Sequence, residues 1–249
     1  NNPIFSTFNT TANNYHRGYD FNGRQNKESK IRWDCSELSA FVQTQKIKDL
    51  KSITDVNWKT DFNKLSEAFK AASTTFYQRD ALDKMNVPKI TGKNTVMNAE
   101  LKPGMLIYLT YPPRAGSQYS GHVATVTRDP ETGKLMISES IGGKNNVGVI
   151  HRDVKDFFTK GYAVNHPRAS FALYDPYYKD RPILDKMDKE AQNIRNYYNE
   201  ADLAFKNGGN NGFRKVGGNS NANRMDFIKN YVENKLEPNQ PALKIANNA

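Results

Sequence analysis

The spacing of apolar residues changes near residue 102, and this change limits the possible folds more than any other feature. Before it, apolar residues such as Leu38, Phe41 and Val42 recur three and four positions apart, which is typical of a helix with one buried face. After it, short segments bounded by turn residues such as Pro103 and Gly104 show strand-like patterns. Helices followed by consecutive strands indicate the α+β class. The sequence therefore predicts N-terminal helices packed on an antiparallel β-sheet.

The pattern also predicts where the elements lie. Predicted helices occupy residues 4–15, 61–85, 182–206 and 224–236, with another beginning at Asp34. Predicted strands occupy residues 105–110, 121–129, 133–143, 146–154 and 169–176. The Gly/Asn-rich segment 206–223 is expected to be a mobile loop. A change of composition after Pro176 divides the chain into a domain of residues 1–176 and a helical extension, 177–249, which packs on the core or docks a partner.

Composition and charge limit the classes of function. A hydrophobic content of 37% is enough for a core and argues against a wholly disordered chain. The 36 basic residues outnumber the 26 acidic ones, giving a net charge of +10, which favours an anionic partner such as nucleic acid, a membrane surface or a bacterial wall polymer. A single cysteine excludes an internal disulfide framework and Cys-rich zinc sites. No metal or other cofactor is predicted.

Membrane and export signals are not expected in this sequence. No apolar run approaches the ~20 residues of a membrane-spanning helix. The sequence begins at Asn1 without a basic segment followed by an apolar one, so we expect no signal peptide within it.

The only cysteine, Cys35, lies in the stretch "RWDCSELSAFVQ", directly before a helical pattern. Asp34 is placed to cap that helix, and Glu37 three residues later completes the pattern of a capping box. The N–H groups and dipole of a helix N-terminus favour a thiolate, and the same N–H groups can hold an oxyanion. Two interpretations remain open from this stretch alone: a nucleophile, or a buried, inert thiol.

A cysteine nucleophile needs a base, which is usually histidine. The candidates are His16, His122, His151 and His166. His16 and His166 lie in polar or turn segments and are expected at the surface, and His151 lies near the end of a possible strand. His122 opens the predicted strand "GHVATVT", with the small side chains of Ala124 and Val126 on its own face. It can therefore lie over the N-terminus of a helix packed on that sheet, and it is the predicted partner of the thiol.

Four segments, in order, carry a resemblance to a known family. The segment "DCSELSAFV" resembles the D-C-S-G-apolar motif of the NlpC-type peptidoglycan peptidases, a branch of the papain-like cysteine hydrolases. The segment "YDFNG" resembles the family's Tyr-x-aromatic-Gly-Gly element, "LKPGMLIYL" resembles its L-x-x-G-D-L strand, and "GHVATVT" resembles its H-V-G-I-Y strand. The resemblance covers about residues 4–175. Glu37, Met105 and Asn22 replace a Gly, an Asp and a Gly of those motifs, so the resemblance bears more on reaction type than on substrate.

The resemblance implies a papain-like fold and a role for each matching residue. Cys35 would be the nucleophile, with its own backbone N–H forming part of the oxyanion hole. His122 would act first as general base and then as general acid. Tyr19 would flank the cleft and contact the oxyanion or the substrate. Asp34 and Ser36 would cap the helix and shape a pocket for a free amine of the peptide stem.

The third catalytic residue is expected in "LMISESIGG", where two neighbours compete. Family spacing points near Ser138, whereas a carboxylate accepts an imidazole N–H more strongly than a hydroxyl does, which favours Glu139. Strand alternation places the two side chains on opposite faces, so only one can fill the role. We predict Glu139.

The resemblance therefore implies a bacterial hydrolase, secreted or delivered to the periplasm or cell wall, that cleaves an amide of the peptidoglycan stem or crosslink through a thioester. N-acetylmuramoyl-L-alanine amidase activity is a close variant. Peptidoglycan is the expected partner, together with an immunity protein if the enzyme is injected between bacteria. Two other classes of function have their own sequence requirements. A nucleic-acid-binding protein would need clustered Lys and Arg, which are spread along this sequence. An acyltransferase on this fold would place its histidine before its cysteine.

Overall fold

An antiparallel sheet with helices against it forms the part of the molecule that holds the candidate site. The computed structural model describes residues 34–71, 74–112, 121–129, 132–141, 148–209 and 220–236. Within these ranges six strands pair in the order β1-β6-β2-β3-β4-β5, and every pairing is antiparallel. The α+β class predicted from the sequence is confirmed.

Helices and strands are distributed along the chain as follows. The helices are α1 (Cys35–Lys51), α2 (Phe62–Ala71), α3 (Thr75–Lys84), α4 (Lys93–Met97), α5 (Val154–Thr159), α6 (Tyr162–Asn165), α7 (Arg181–Ala204) and α8 (Ser220–Lys235). The strands are β1 (Lys89–Thr91), β2 (Leu106–Thr110), β3 (Gly121–Arg128), β4 (Leu135–Ile141), β5 (Gly148–Asp153) and β6 (Ser170–Tyr174).

The sheet is a meander with one returning strand. Strands β2 to β5 pair with their neighbours in chain order, and β6 returns to pair with β2. All five predicted strands are present. Strand β1 was not predicted, because three exposed residues at a sheet edge leave no alternating pattern. The short helix α4 follows β1 directly. It was not predicted either, because five residues are too few to show a helical pattern.

The two faces of the sheet are covered differently. Ala124 and Val126 of β3 belong to a buried apolar cluster that also includes Phe157 and Phe158 of α5. Thr125 points to the opposite face, where its hydroxyl donates to Ser39 Oγ of α1 at 3.3 Å. Helix α1 therefore packs against the Thr125 face, whereas the sequence argument had placed Ala124 and Val126 beneath it.

The predicted helical region 61–85 consists of two helices. Thr74 caps the second, its side-chain oxygen accepting the Tyr77 N–H at 3.2 Å, so α3 begins as a separate helix. The four residues predicted to form the apolar side of this region are all buried, namely Phe62, Leu65, Phe69 and Leu82.

The chain divides into two compact units between Pro182 and Ile183, a few residues beyond the boundary suggested by composition. The side chain of Arg181 accounts for the difference. It donates through Nε to Asp175 at 2.9 Å and through Nη1 to the Pro103 carbonyl at 3.1 Å. Asp180 in turn accepts the backbone N–H of Lys59 at 2.9 Å. These bonds hold the chain up to Pro182 in the unit that contains the sheet.

The second unit contains most of α7 and all of α8, with a small core of Ala201, Ile228 and Val232. The predicted loop 206–223 is wrong at both ends. Helical backbone continues through Phe205–Gly209 as a π-helical turn, and α8 begins at Ser220. Residues 210–219 lie outside the described ranges, as do the predicted helix 4–15 and the polar segment after it. Among the helices that are described, none has the length and apolar character needed to cross a membrane.

Candidate active site

Cys35 is the first residue of α1, and the capping box predicted around it is present. The Asp34 carboxylate accepts the Glu37 N–H at 2.9 Å and the Ser36 hydroxyl at 2.7 Å. The Glu37 carboxylate accepts the Asp34 N–H at 2.9 Å. This reciprocal capping fixes where the helix begins. The box takes up the N–H groups of Asp34 and Glu37, which leaves those of Cys35 and Ser36 outside it.

Cys35 is neither fully buried nor isolated. Its residue is partly exposed and forms no disulfide. Its side chain lies close enough to raise the pKa of His122, the first side chain of β3 after Gly121. The structure thus brings together the two residues that the sequence paired, and partial exposure argues against the alternative of a buried, inert thiol.

His122 is buried and bonded on its other side to Glu139. The imidazole Nε2 lies 2.7 Å from Glu139 Oε2, and both side chains are almost fully inaccessible, at 2% and 1% exposure. Nε2 is thus engaged by the carboxylate, and the opposite ring nitrogen is Nδ1. The imidazole thus interacts with both the thiol and the carboxylate. The predicted choice of Glu139 over Ser138 as the neighbour of His122 agrees with this geometry.

These contacts set the charges within the site. Burial lowers the pKa of His122, but hydrogen bonds and charge interactions with Cys35 and Glu139 outweigh it and raise the pKa to about 10. Burial raises the pKa of Glu139, but its bonds and charge interactions with His122 and Arg152 hold it below its ordinary value. At neutral pH the imidazole is therefore protonated and the carboxyl is ionised. A protonated imidazole beside a cysteine sulfur is the kind of partner that stabilises a thiolate.

Arg152 of β5 is a fourth member of this group that sequence reasoning missed. Its Nε donates to Glu139 Oε1 at 2.7 Å. Each carboxylate oxygen of Glu139 therefore faces its own nitrogen, Oε2 the imidazole and Oε1 the guanidinium. One sequence signal was available, because a carboxylate on a buried strand needs a nearby cation and "IHRDV" follows on the next strand. The sequence does not show the strand register that brings Arg152 next to Glu139.

Ser138, the rejected neighbour, lies in a different polar group. Its Oγ is 2.7 Å from Thr127 Oγ1 and 2.7 Å from His151 Nδ1. Because Ser138 and Glu139 alternate along β4, this group is on the face opposite His122. His151 is therefore paired with Ser138 on that face. His166 is partly exposed and stacks on Tyr111, with ring centroids 4.1 Å apart.

Two buried residues that were also missed support the first turn of α1. Gln78 of α3 donates through Nε2 to the Ser36 carbonyl at 2.8 Å. Its Oε1 accepts the Tyr108 hydroxyl at 3.0 Å. Burial raises the pKa of Tyr108 well above its usual value, so the phenol remains a neutral donor. This chain of bonds links α3 and β2 to the backbone next to Cys35, and it spans too many residues for a sequence pattern to show.

The remaining predicted site residues have different outcomes. Asp34 and Ser36 flank Cys35 and are buried, at 4% and 2% exposure, with their side chains bonded to each other. Their capping role is present, and their binding of a substrate amine remains a prediction. Tyr19 and His16 lie outside the described residues. Across the described part of the chain, no group of three or more His, Cys, Asp or Glu side chains is arranged to hold a metal ion.

The sequence was also compared with known proteins. No protein-family model matches it, and the search of curated proteins gives no match.

Proposed function

We propose that this protein is a cysteine hydrolase that cleaves an amide bond in the peptide stem or crosslink of bacterial peptidoglycan. One observation carries the proposal: a partly exposed cysteine at a capped helix N-terminus interacts with a buried histidine and raises its pKa. That histidine is held by a buried carboxylate 2.7 Å away. Nucleophile, base and orienting group follow one another as in other Cys-His hydrolases.

The reaction follows from these positions. The Cys35 thiolate attacks the amide carbonyl carbon, and the carbonyl electrons move to oxygen as the C–S bond forms. The Cys35 backbone N–H lies at the helix N-terminus, outside the capping box, and can donate to that oxyanion. Protonated His122 then gives its proton to the leaving nitrogen as the C–N bond breaks. The products of this half are a thioester on Cys35 and a free amine.

The second half restores the enzyme. Neutral His122 takes a proton from water, which attacks the thioester carbonyl. The C–S bond breaks, a carboxylic acid is released, and the thiolate–imidazolium pair forms again. Glu139 stays ionised throughout, holds the ring so that Nδ1 faces the sulfur and stabilises the imidazolium. No metal or redox cofactor is required by this sequence of steps.

The order of elements supports a papain-like fold of the NlpC type. A helix carries Cys35, a later strand opens with His122, and the next strand carries Glu139. This is the order that the resembling segments imply. The departure at Glu37 has a local explanation, because the glutamate completes the capping box that a glycine could not form.

Resemblance and charge support the choice of substrate. Peptidoglycan with its attached teichoic acids is polyanionic, and a protein of net charge +10 would accumulate on it. Asp34, Ser36 and Tyr19 are proposed to recognise the free amine and flank the cleft. We place the enzyme in the bacterial periplasm or cell wall, either secreted or injected by a competitor. In the second case its partner would be an immunity protein that blocks the cleft.

Mass spectrometry of defined muropeptides tests the proposal. Wild type should add one water to a crosslinked or stem peptide, and the fragment masses identify the bond. Release of a peptide without its muramic acid would indicate amidase activity. Cys35→Ala should give no fragments, while Ser52→Ala, at the opposite end of the same helix, should cleave like wild type. Cleavage that survives Cys35→Ala, or wild type that leaves every muropeptide intact, would reject the proposal.

A further inference from the structure

Arg152 is the outermost member of the line of contacts that begins at the thiol. It donates through Nε to Glu139 Oε1 at 2.7 Å. The other carboxylate oxygen, Oε2, lies 2.7 Å from His122 Nε2. The Glu139 side chain is 1% exposed, whereas that of Arg152 is 23% exposed. The guanidinium therefore closes the solvent side of a carboxylate that is otherwise enclosed by protein.

The charges in this line balance only when Arg152 is included. With Cys35 as thiolate and His122 as imidazolium, Glu139 leaves the group with one net negative charge in a buried setting. The guanidinium brings the sum to zero. Uncompensated buried charge is costly and is relieved by proton uptake. Without the guanidinium, a proton taken up by this group would disrupt the charged arrangement on which the proposed reaction depends.

The Arg152 guanidinium lies close to the backbone at Gly161, where no side chain is present. Gly161 has φ +69°, and a Cβ added there would lie 3.2 Å from Nη2 and 3.3 Å from Cζ of Arg152. A side chain at 161 would therefore crowd the cation as well as strain the backbone. The Gly161 backbone and the Glu139 carboxylate together define where the Arg152 head can lie.

We propose that Arg152 is a positioning residue, which fixes the Glu139 carboxylate against His122 and supplies the charge that keeps the thiolate–imidazolium pair formed at neutral pH. The groups that face Glu139 are His122 from β3 and Arg152 from β5, and Cys35 from α1 faces His122. The proposal rests on the proposed function only in taking Cys35 as the reactive nucleophile.

The pH dependence of Cys35 alkylation tests this without any substrate. Because Cys35 is the only cysteine, every iodoacetamide adduct measured by intact mass reports on it. In Arg152→Gln we expect the midpoint of the rate profile to move to higher pH by about one unit, the usual spread that protein environments impose. In Arg152→Lys we expect a smaller shift than in Arg152→Gln, because lysine keeps the positive charge but loses the Nε–H donor.

A double-mutant cycle separates a role through Glu139 from a general loss of structure. If Arg152 acts through the carboxylate, Arg152→Gln should have little further effect on the midpoint when position 139 is already Gln. Arg128→Gln is the matched control, because Arg128 is a partly buried arginine whose Nη1 bonds to the Gly133 carbonyl at the far end of β3. Its profile should match wild type. Circular dichroism and thermal melting check that each variant is folded.

The outcomes are distinguishable. An unchanged midpoint in folded Arg152→Gln overturns the proposal, and so does a shift of equal size in the Glu139→Gln background. If Arg152→Gln does not fold, Arg152→Lys is measured instead. A midpoint shifted to higher pH by less than about one unit supports the role of Arg152, and a wild-type profile rejects it. A shifted midpoint in a protein that cleaves no muropeptide would retain the role of Arg152 while rejecting the proposed substrate.

Discussion

Two polar groups built around neighbouring residues of β4 differ in what they can do. The charged cluster consists of Cys35, His122, Glu139 and Arg152, and the hydroxyl cluster consists of Thr127, Ser138 and His151. In each, a buried side chain of β4 lies 2.7 Å from a histidine nitrogen. They occupy opposite faces because Ser138 and Glu139 are adjacent in the strand.

The difference lies in charge and access. The charged cluster includes a partly exposed cysteine and a carboxylate between two cations. In the hydroxyl cluster, the oxygen that faces the histidine belongs to a serine that is 1% exposed and is also bonded to Thr127. A histidine beside a hydroxyl is therefore not enough to indicate catalysis. A reachable nucleophile and an ionised orienting group distinguish the first cluster, and the predictions below test that distinction.

The largest effect should come from replacing Cys35, the proposed nucleophile. Cys35→Ala removes the atom proposed to form the thioester, so we expect muropeptide cleavage to fall on the order of 10⁵-fold or more. The cleavage rate of Ser138→Ala should lie within a few fold of wild type, because the Ser138 hydroxyl lies on the sheet face opposite His122. Rates of fragment release by mass spectrometry measure both. Loss of cleavage in a folded Ser138→Ala variant would contradict the assignment of roles to the two clusters.

The two histidines provide the next comparison. His122→Ala removes both the proposed base and the proposed partner of the Cys35 sulfur, and we expect a loss on the order of 10⁴-fold, the upper range for a general acid–base residue. His151→Ala, and likewise His16→Ala and His166→Ala, should remain active. The same cleavage assay distinguishes them. An inactive His151→Ala with an active His122→Ala would exchange the roles of the clusters.

Replacement of the carboxylate should have a smaller effect. Glu139→Gln keeps the shape and an oxygen that can accept the imidazole N–H, as in Cys-His-Asn sites, so we expect a roughly 10- to 100-fold loss of kcat. The His122 pKa should fall in this variant, because one of the interactions that raise it is gone. Titration of the His122 ring by NMR measures that change. A pKa that does not move would mean that Glu139 does not control the histidine.

Much of the charged cluster was predictable, because its signals are local. Asp34 and Glu37 are three residues apart, so the capping box that places Cys35 could be read directly. The choice of Glu139 over Ser138 needed only strand alternation and the stronger acceptance of a carboxylate. The strand that His122 opens was visible from its pattern.

What could not be predicted depends on contacts between distant segments. Arg152 reaches Glu139 from the next strand, and its register depends on a turn whose geometry the sequence does not reveal. Gln78 and Tyr108 meet the first turn of α1 only through packing of α3 and β2. The pairing of Cys35 with His122 was predicted, but by an argument that packed the helix on Ala124 and Val126, whereas α1 contacts Thr125. Local chemistry identified the partners, and tertiary packing determined how they meet.

The smallest effect concerns stability and again separates the two histidines. The His122 pKa is about 10 in the folded protein, above the ~6.5 expected when the chain is unfolded. A raised pKa means that the folded state holds the proton more tightly. The stabilisation from this group is therefore fully present below about pH 6.5 and is lost as pH rises through 10, with a slope of at most about 1.4 kcal/mol per pH unit for one proton.

Urea unfolding at pH 8.5, 9.25 and 10 measures this dependence above the ordinary pKa of an unfolded thiol, about 8.5. Other groups titrate over the same range, so the informative quantity is the difference in slope between wild type and variant. His122→Gln should lose stability less steeply than wild type between pH 8.5 and 10, because it has no imidazolium to deprotonate. His151→Gln removes the histidine of the hydroxyl cluster and should keep the wild-type slope. If instead His151→Gln flattens the curve and His122→Gln does not, the buried charge lies on the other face of the sheet, and the contrast between the clusters is reversed.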